Sequence, residues 1–232
     1  MPSQPSSIAE LVTALLAQSV PVIFLDTCSI LDVPRSLHRE IASTTLVQNA
    51  LKAHEALSET PAKLQLVISE QVAREYTTNL PEVLKELRDR ITQVSLIGRS
   101  LLHATESAQL GSTLTTLEAN LTSLTNQVFS SCLTIATDKT CVSRATARLA
   151  SNTAPAKRGS SNLGDCLVIE HFLEFVRQLR ADGFGRPCIF VSSNYKDYGK
   201  AVNPKAPLDS EFAAISIDYM PDISAALTQL GF

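Results

Sequence analysis

Three acidic side chains follow a short apolar run or lie in a helix that starts from one, Asp26 in VIFLDTCSIL, Glu75 in VISEQVAREY and Asp197 in FVSSNYKDYG, and a fourth, Asp165 in NLGDCLVIEH, opens a strongly apolar helix. Carboxylates gathered from separate segments repel one another unless a cation neutralises them. A donor set of hard oxygens selects Mg²⁺ or Mn²⁺ over zinc. Each acid also has a plainer reading. Asp26 and Asp165 stand where a helix-capping Asp would stand, and Glu70 sits in a first helical turn that favours any carboxylate. Glu75 lies three residues after Val72 and so shares a helix face with a residue expected to pack inward. Ser193, Asn194 and Asp197 fall at the sheet edge also expected for Asp26. Glu174 is expected to face solvent, while Glu170 is open between an exposed stripe and a further ligand. The ordered set carries more weight than any one acid.

An Asp at the carboxyl end of a strand matters most in an open α/β sheet, where ligands bind in the crevice beyond the strand ends. Residues 22–25, 64–68 and 188–191 read as buried strands, and 215–217 as a weaker one. The stretches between them are helical in pattern and too long for hairpin loops. Strands separated by helices imply a doubly wound parallel sheet flanked by helices, with residues 1–232 as a single domain. Residues 81–150 differ. Pro81 suits a first helical position, Val83, Leu87, Ile91 and Val94 recur near helical spacing, and Gly111–Ser112 reads as a break. Leu114, Leu117, Leu121, Leu124 and Val128 then continue a second stripe. The expectation is an inserted helical hairpin packed on itself and on the core. Residues 151–162 read as a polar loop, and Ser6 or Ser7 as the cap of an N-terminal amphipathic helix.

Bulk properties narrow the function classes. The 232 residues carry a net charge of −3, so no chain-wide basic field draws in polyanions. Aromatics make up 5% and Trp is absent, which excludes an extended stacking platform for single strands. Five scattered cysteines without metal-ligand spacing read as reduced, mostly buried residues of a cytoplasmic protein. Neither a signal peptide nor an apolar run of membrane-spanning length is read, so a soluble protein is expected. The four histidines share no motif and are assigned to surface or helix faces.

The segments FLDTCSIL, VISEQVAREY, GDCLVIEH and FVSSNYKDYG together resemble the PIN-domain family of metal-dependent nucleases. AKRGSSNLGDCLV resembles a subgroup in which a basic, glycine-containing loop precedes the third acid. The resemblance implies a PIN-like fold and phosphodiester hydrolysis, most often by an endoribonuclease that is toxin-like or processes RNA. Its metal-binding and catalytic acids would be Asp26, Glu75, Asp165 and Asp197, with Thr27, Ser193 and Asn194 supporting them. Lys157, Arg158, Lys196 and Lys200 flank these acids, as phosphate contacts or as solvated charges. The implied cofactor is Mg²⁺ or Mn²⁺ and the implied substrate a nucleic acid, RNA ahead of DNA. A protein partner or a homo-oligomer stays open.

Two other classes compete with this one. A phosphoacceptor receiver wants further acids beside Asp26, and a haloacid-dehalogenase-type phosphatase wants an Asp where Cys28 stands. A non-catalytic binding module acting through the helical insertion remains the alternative.

Overall fold

The run VIFL is apolar at every position, which suits a strand covered on both faces. Strand β1 (Val22–Leu25) is such a strand, buried throughout. In the computed structural model, which describes residues 2–37, 44–157, 159 and 162–232, β1 lies between β2 (Gln65–Ser69) and β4 (Cys188–Val191). The outer strands are β3 (Leu133–Ile135) and β7 (Ile217–Met220), giving an all-parallel sheet of order β3-β2-β1-β4-β7. The chain winds outward from β1 to β3, then returns to place β4 on the other side of β1. This is the doubly wound α/β topology expected, and its strand order reverses between β1 and β4, where a crevice opens beyond the carboxyl ends.

Helix α7 (Leu163–Ala181) packs on α1 (Ile8–Gln18) and α6 (Lys139–Ala150), while α2 (Thr27–Arg35) packs on α4 (Glu70–Leu101) and α5 (Ala104–Ser130). Helix α10 (Ile223–Leu230) lies on α3 (Thr44–Ser58). Phe172 of α7 meets Phe24 of β1 at 4.8 Å and Phe190 of β4 at 5.3 Å between ring centroids. One buried aromatic cluster therefore fixes α7 over the two central strands, each such pair adding about 0.5–1.5 kcal/mol beyond its buried area. No helix among the described residues is long and apolar enough to cross a membrane.

Several expectations needed adjustment. The second strand starts one residue later than read, and the last lies at Ile217–Met220 rather than at 215–217. Strand β3 was not read at all: three residues on a sheet edge leave little periodicity to detect. Helix α4 runs unbroken through Pro81. A proline inside a helix costs about 3 kcal/mol, offset by burial of Tyr76, Val83 and Leu87 on either side of it. The hairpin turns at Leu102–His103, and Gly111 lies inside α5 instead of breaking it. Leu87 and Ile91 of α4 close on Leu121 of α5, so the two arms pack on each other. The remainder of 81–150 is not hairpin, because it supplies edge strand β3 and helix α6.

Glu170 and Glu174 also differ from expectation. Glu170 is buried and accepts from Arg148 Nε at 2.8 Å and Arg144 Nε at 2.9 Å. Glu174 is partly covered and accepts from Arg144 at 2.9 Å. Arg148 reaches on to Glu211 of α9 (Leu208–Ala214) and to the carbonyl of Ala154. The network thereby ties α6, α7 and α9 to the start of the loop that leads to Lys157. His171 is buried rather than on an outer face: its Nε2 accepts from the Asp138 amide at 3.0 Å, and burial holds its pKa below the usual value.

Removing Arg148 strands a buried carboxylate that Arg144 covers on one oxygen only. Arg148→Ala is expected to cost about 3 kcal/mol in urea unfolding, with much of it recovered by adding Glu170→Leu. A loss below about 1 kcal/mol would show that the network behaves as a surface one.

Candidate active site

Strands β1 and β4 end in register, Leu25 opposite Val191. The next residues, Asp26 and Ser192, therefore emerge side by side, and the Asp26 amide continues the ladder to the Val191 carbonyl at 3.0 Å. Asp26 is the N-cap of α2 and is buried. Its Oδ1 accepts from the Thr27 amide at 2.7 Å; its Oδ2 accepts from Ser192 Oγ at 2.7 Å and Cys28 Sγ at 3.1 Å. A cap needs only the first of these. Burial raises the pKa of Asp26, the Ser192 and Cys28 bonds lower it, and Glu75 raises it again.

Glu75 reaches this point from α4. Thr27 Oγ1 donates to its Oε2 at 2.6 Å and Gln71 Nε2 to its Oε1 at 2.7 Å. Gly164, in the first turn of α7, lets the two helices approach: a Cβ there would stand 2.5 Å from Glu75 Oε1. Asp165 follows in the same turn. Asp197 lies in the short helix α8 (Tyr195–Tyr198), just after β4. Asn194 Nδ2 donates to Asp197 at 2.9 Å and lies 3.5 Å from Asp165 Oδ1, so one amide stands between the two acids. The Lys157 ammonium pairs with the other oxygen of Asp197.

A cavity of about 200 Å³ is lined by Asp26, Glu75, Asp165 and Asn194, together with Thr27, Cys28, Arg35 and Asn79. The four acids read from sequence are thus neighbours in space, with Asp197 joined through Asn194. Electrostatics agrees. Burial, and then repulsion by Asp26, Asp197 and Glu75, raises the pKa of Asp165 to about 7, partly offset by Lys157. Four carboxylates in one place leave one of them short of countercharge.

The donor set, all hard oxygen, suits Mg²⁺ or Mn²⁺. Among the described residues, no three His, Cys, Asp or Glu side chains stand close enough to hold an ion as they lie. The reason is visible in the partners. Thr27 and Gln71 occupy both oxygens of Glu75, and Asn194 and Lys157 both oxygens of Asp197. The chemistry of the set fits a divalent cation, and its closure needs those two side chains to turn.

Of the supporting residues read from sequence, Thr27 and Asn194 touch the acids directly. Ser193 does not donate to Asp26; its neighbour Ser192, directly in register with Asp26, does. Lys196 and Lys200 are exposed and line no part of this cavity. Arg158 lies outside the described residues, as does His38. Sequence reasoning missed Cys28, Arg35, Gln71, Asn79 and Ser192. Asn79 was within reach of it, standing four residues after Glu75 on the same helix face; Ser192 required the β1–β4 register.

Comparison with known proteins gives a single finding. The family model described as PIN domain matches residues 23–198, well over half of the chain. The match spans the helical hairpin and stops at the end of α8. No curated protein and no solved structure matches the chain.

The raised Asp165 sets a pH dependence. Between the ordinary carboxylate value of 3.8 and about 7 the folded chain holds a proton that the unfolded chain lacks. Stability therefore falls as the pH rises through that window and levels off above it. In EDTA, Asp165→Asn is expected to melt above the wild type at alkaline pH, the advantage fading toward pH 4 or so. Equal melting temperatures at alkaline pH would count against crowding of this carboxylate.

Proposed function

Because the chain belongs to the PIN-domain family, whose members are generally nucleases and bind divalent metals, we propose that it is a Mg²⁺- or Mn²⁺-dependent endoribonuclease. It would act on RNA in preference to DNA, as a toxin-like or RNA-processing enzyme of the cytoplasm. The observation that carries this is the convergence of four acids from four separate segments on the switch point of the sheet, where burial and then mutual repulsion raise Asp165 to about 7. Five free cysteines among the described residues suit a reducing compartment.

Asp26, Glu75, Asp165 and Asp197 would hold the metal. A divalent ion there supplies Lewis acidity toward the phosphate and a nucleophilic water at neutral pH. The protein's share is positioning. Asp26 is fixed at the end of β1 by three donors. Thr27 and Gln71 hold Glu75 toward the same space, and Asn194 spans Asp165 and Asp197. Asp26 and Asp165 are both raised above the ordinary carboxylate range, so added countercharge would favour their ionised forms. Lys157, paired with Asp197, would exchange that partner for a substrate phosphate. The residues of the hairpin would be a protein-facing or self-facing surface, which leaves the catalytic assignment unchanged.

Cleavage of single-stranded RNA in Mn²⁺ and its loss in EDTA is the direct test. Asp26→Asn and Asp165→Asn should each bring it to background; cleavage surviving in both would trace to a contaminating nuclease. Gly164→Ala separates site from scaffold. Alanine is the better helix former by about 0.5–1 kcal/mol, so the melting temperature should hold or rise. Its methyl would displace Glu75, and activity should fall by about 10- to 100-fold, as when a ligand loses its orienting contacts. Unchanged activity would remove Glu75 from the site.

A further inference from the structure

A second concavity, of about 530 Å³, lies against the same 192–195 segment as the acidic cavity. Its size falls within the roughly 300–1,000 Å³ of small-ligand clefts, which are apolar with a few polar groups at the edge. Tyr219 lines it, largely buried, with its ring packed on Phe190 and Phe212 and its hydroxyl donating to the carbonyls of Ser192 and Gly199, each at 3.1 Å. Pro221, Ala201 and Val202 add apolar wall, and Lys200 stands at the rim. Two large apolar side chains here stay in water: Tyr195 is 60% exposed and Val202 93%.

The wall is built, not incidental. It is the two-stranded hairpin of β5 (Gly199–Lys200) and β6 (Asn203–Pro204). Gly199 has φ +88°, and a Cβ there would stand 2.6 Å from the Lys205 amide nitrogen, so only glycine lets the hairpin fold back this tightly. Lys205 then ties the hairpin to the Lys196 carbonyl beside Tyr195.

Ser192 lines the cleft and touches an acid of the other cavity. Its hydroxyl holds Asp26 while its carbonyl receives Tyr219. A group in the cleft is therefore one short chain segment away from a phosphate at the acids. The group that suits this is flat and apolar on its faces, polar at its edges and linked to a phosphate. We propose that the cleft takes the nucleobase next to the cleaved phosphate, stacked on Tyr195, with Lys200 toward the following phosphate. This rests on the nuclease reading above and extends it. The hairpin, Tyr219 and Pro221 all lie beyond residue 198, outside the family match. Stacking on one ring accepts every base, so the site grips the strand with weak sequence preference.

The test is binding of a short, labelled single-stranded RNA to the full chain in EDTA, followed by fluorescence anisotropy. Tyr195→Ala should weaken binding by about 5- to 150-fold and Tyr195→Phe should leave it intact. Val202→Asp should also weaken it. An RNA lacking one base should bind the wild type less well, while losing nothing further against Tyr195→Ala. Wild-type affinity in Tyr195→Ala, or no RNA binding by the wild type, overturns the proposal. The two readings fail differently. Tyr195-dependent binding without cleavage in Mn²⁺ sinks the nuclease alone, whereas Mn²⁺-dependent cleavage by Tyr195→Ala at an unchanged KM sinks the base cleft alone.

Discussion

Strands β1 and β4 run side by side, with Leu25 opposite Val191, and the functional end of the molecule depends on that pairing. It sets Asp26 beside Ser192 and starts helix α2 and segment 192–195 from neighbouring points. Helix α7 is then drawn over the same two strands by the Phe24–Phe172–Phe190 cluster, bringing Gly164 and Asp165 to the crevice. Helix α4 arrives from β2 with Glu75. The four acids come from four separate segments, and the sheet is what brings those segments together.

That placement stores electrostatic stress. Asp26 is buried, with its hydrogen-bond donors only partly opposing the desolvation, and Asp165 carries the remaining repulsion. The chain meets part of the stress with its own groups: Asn194 between two acids, Lys157 on Asp197, Thr27 and Gln71 on Glu75. The arrangement is self-consistent without being closed around a cation, and the same contacts explain why, among the described residues, no three acids stand at ligating distance together. The buried Arg148–Glu170 network lies behind it and anchors the loop bearing Lys157.

The helical hairpin is separate in its energetics. Its arms pack on each other through Leu87, Ile91 and Leu121, while Leu96, Ile97 and Leu101 near its tip remain exposed. It lies within the residues spanned by the family match. The hairpin of β5 and β6 lies outside that match and builds the wall of the second cleft. The acidic cavity and much of the second cleft thus draw on different parts of the chain.

By itself the sequence determined the three central strands, because strands buried on both faces are written as unbroken apolar runs such as VIFL and CIFV. It also singled out four acids that lie together in space, three at a strand end or on the element that follows and Asp165 in the first turn of the buried helix α7. Register and helix approach belonged to tertiary structure. That Ser192 and not Ser193 serves Asp26 follows from a one-residue pairing that no local pattern encodes. Gly164 matters only because Glu75 lies across from it. Strand β3 is too short to declare itself, Gly111 could not break a helix whose apolar stripe is held by a partner, and Glu170 looked like any acid until two arginines closed on it. Periodicity is a property of neighbours along the chain, and those decisions were made by neighbours in space.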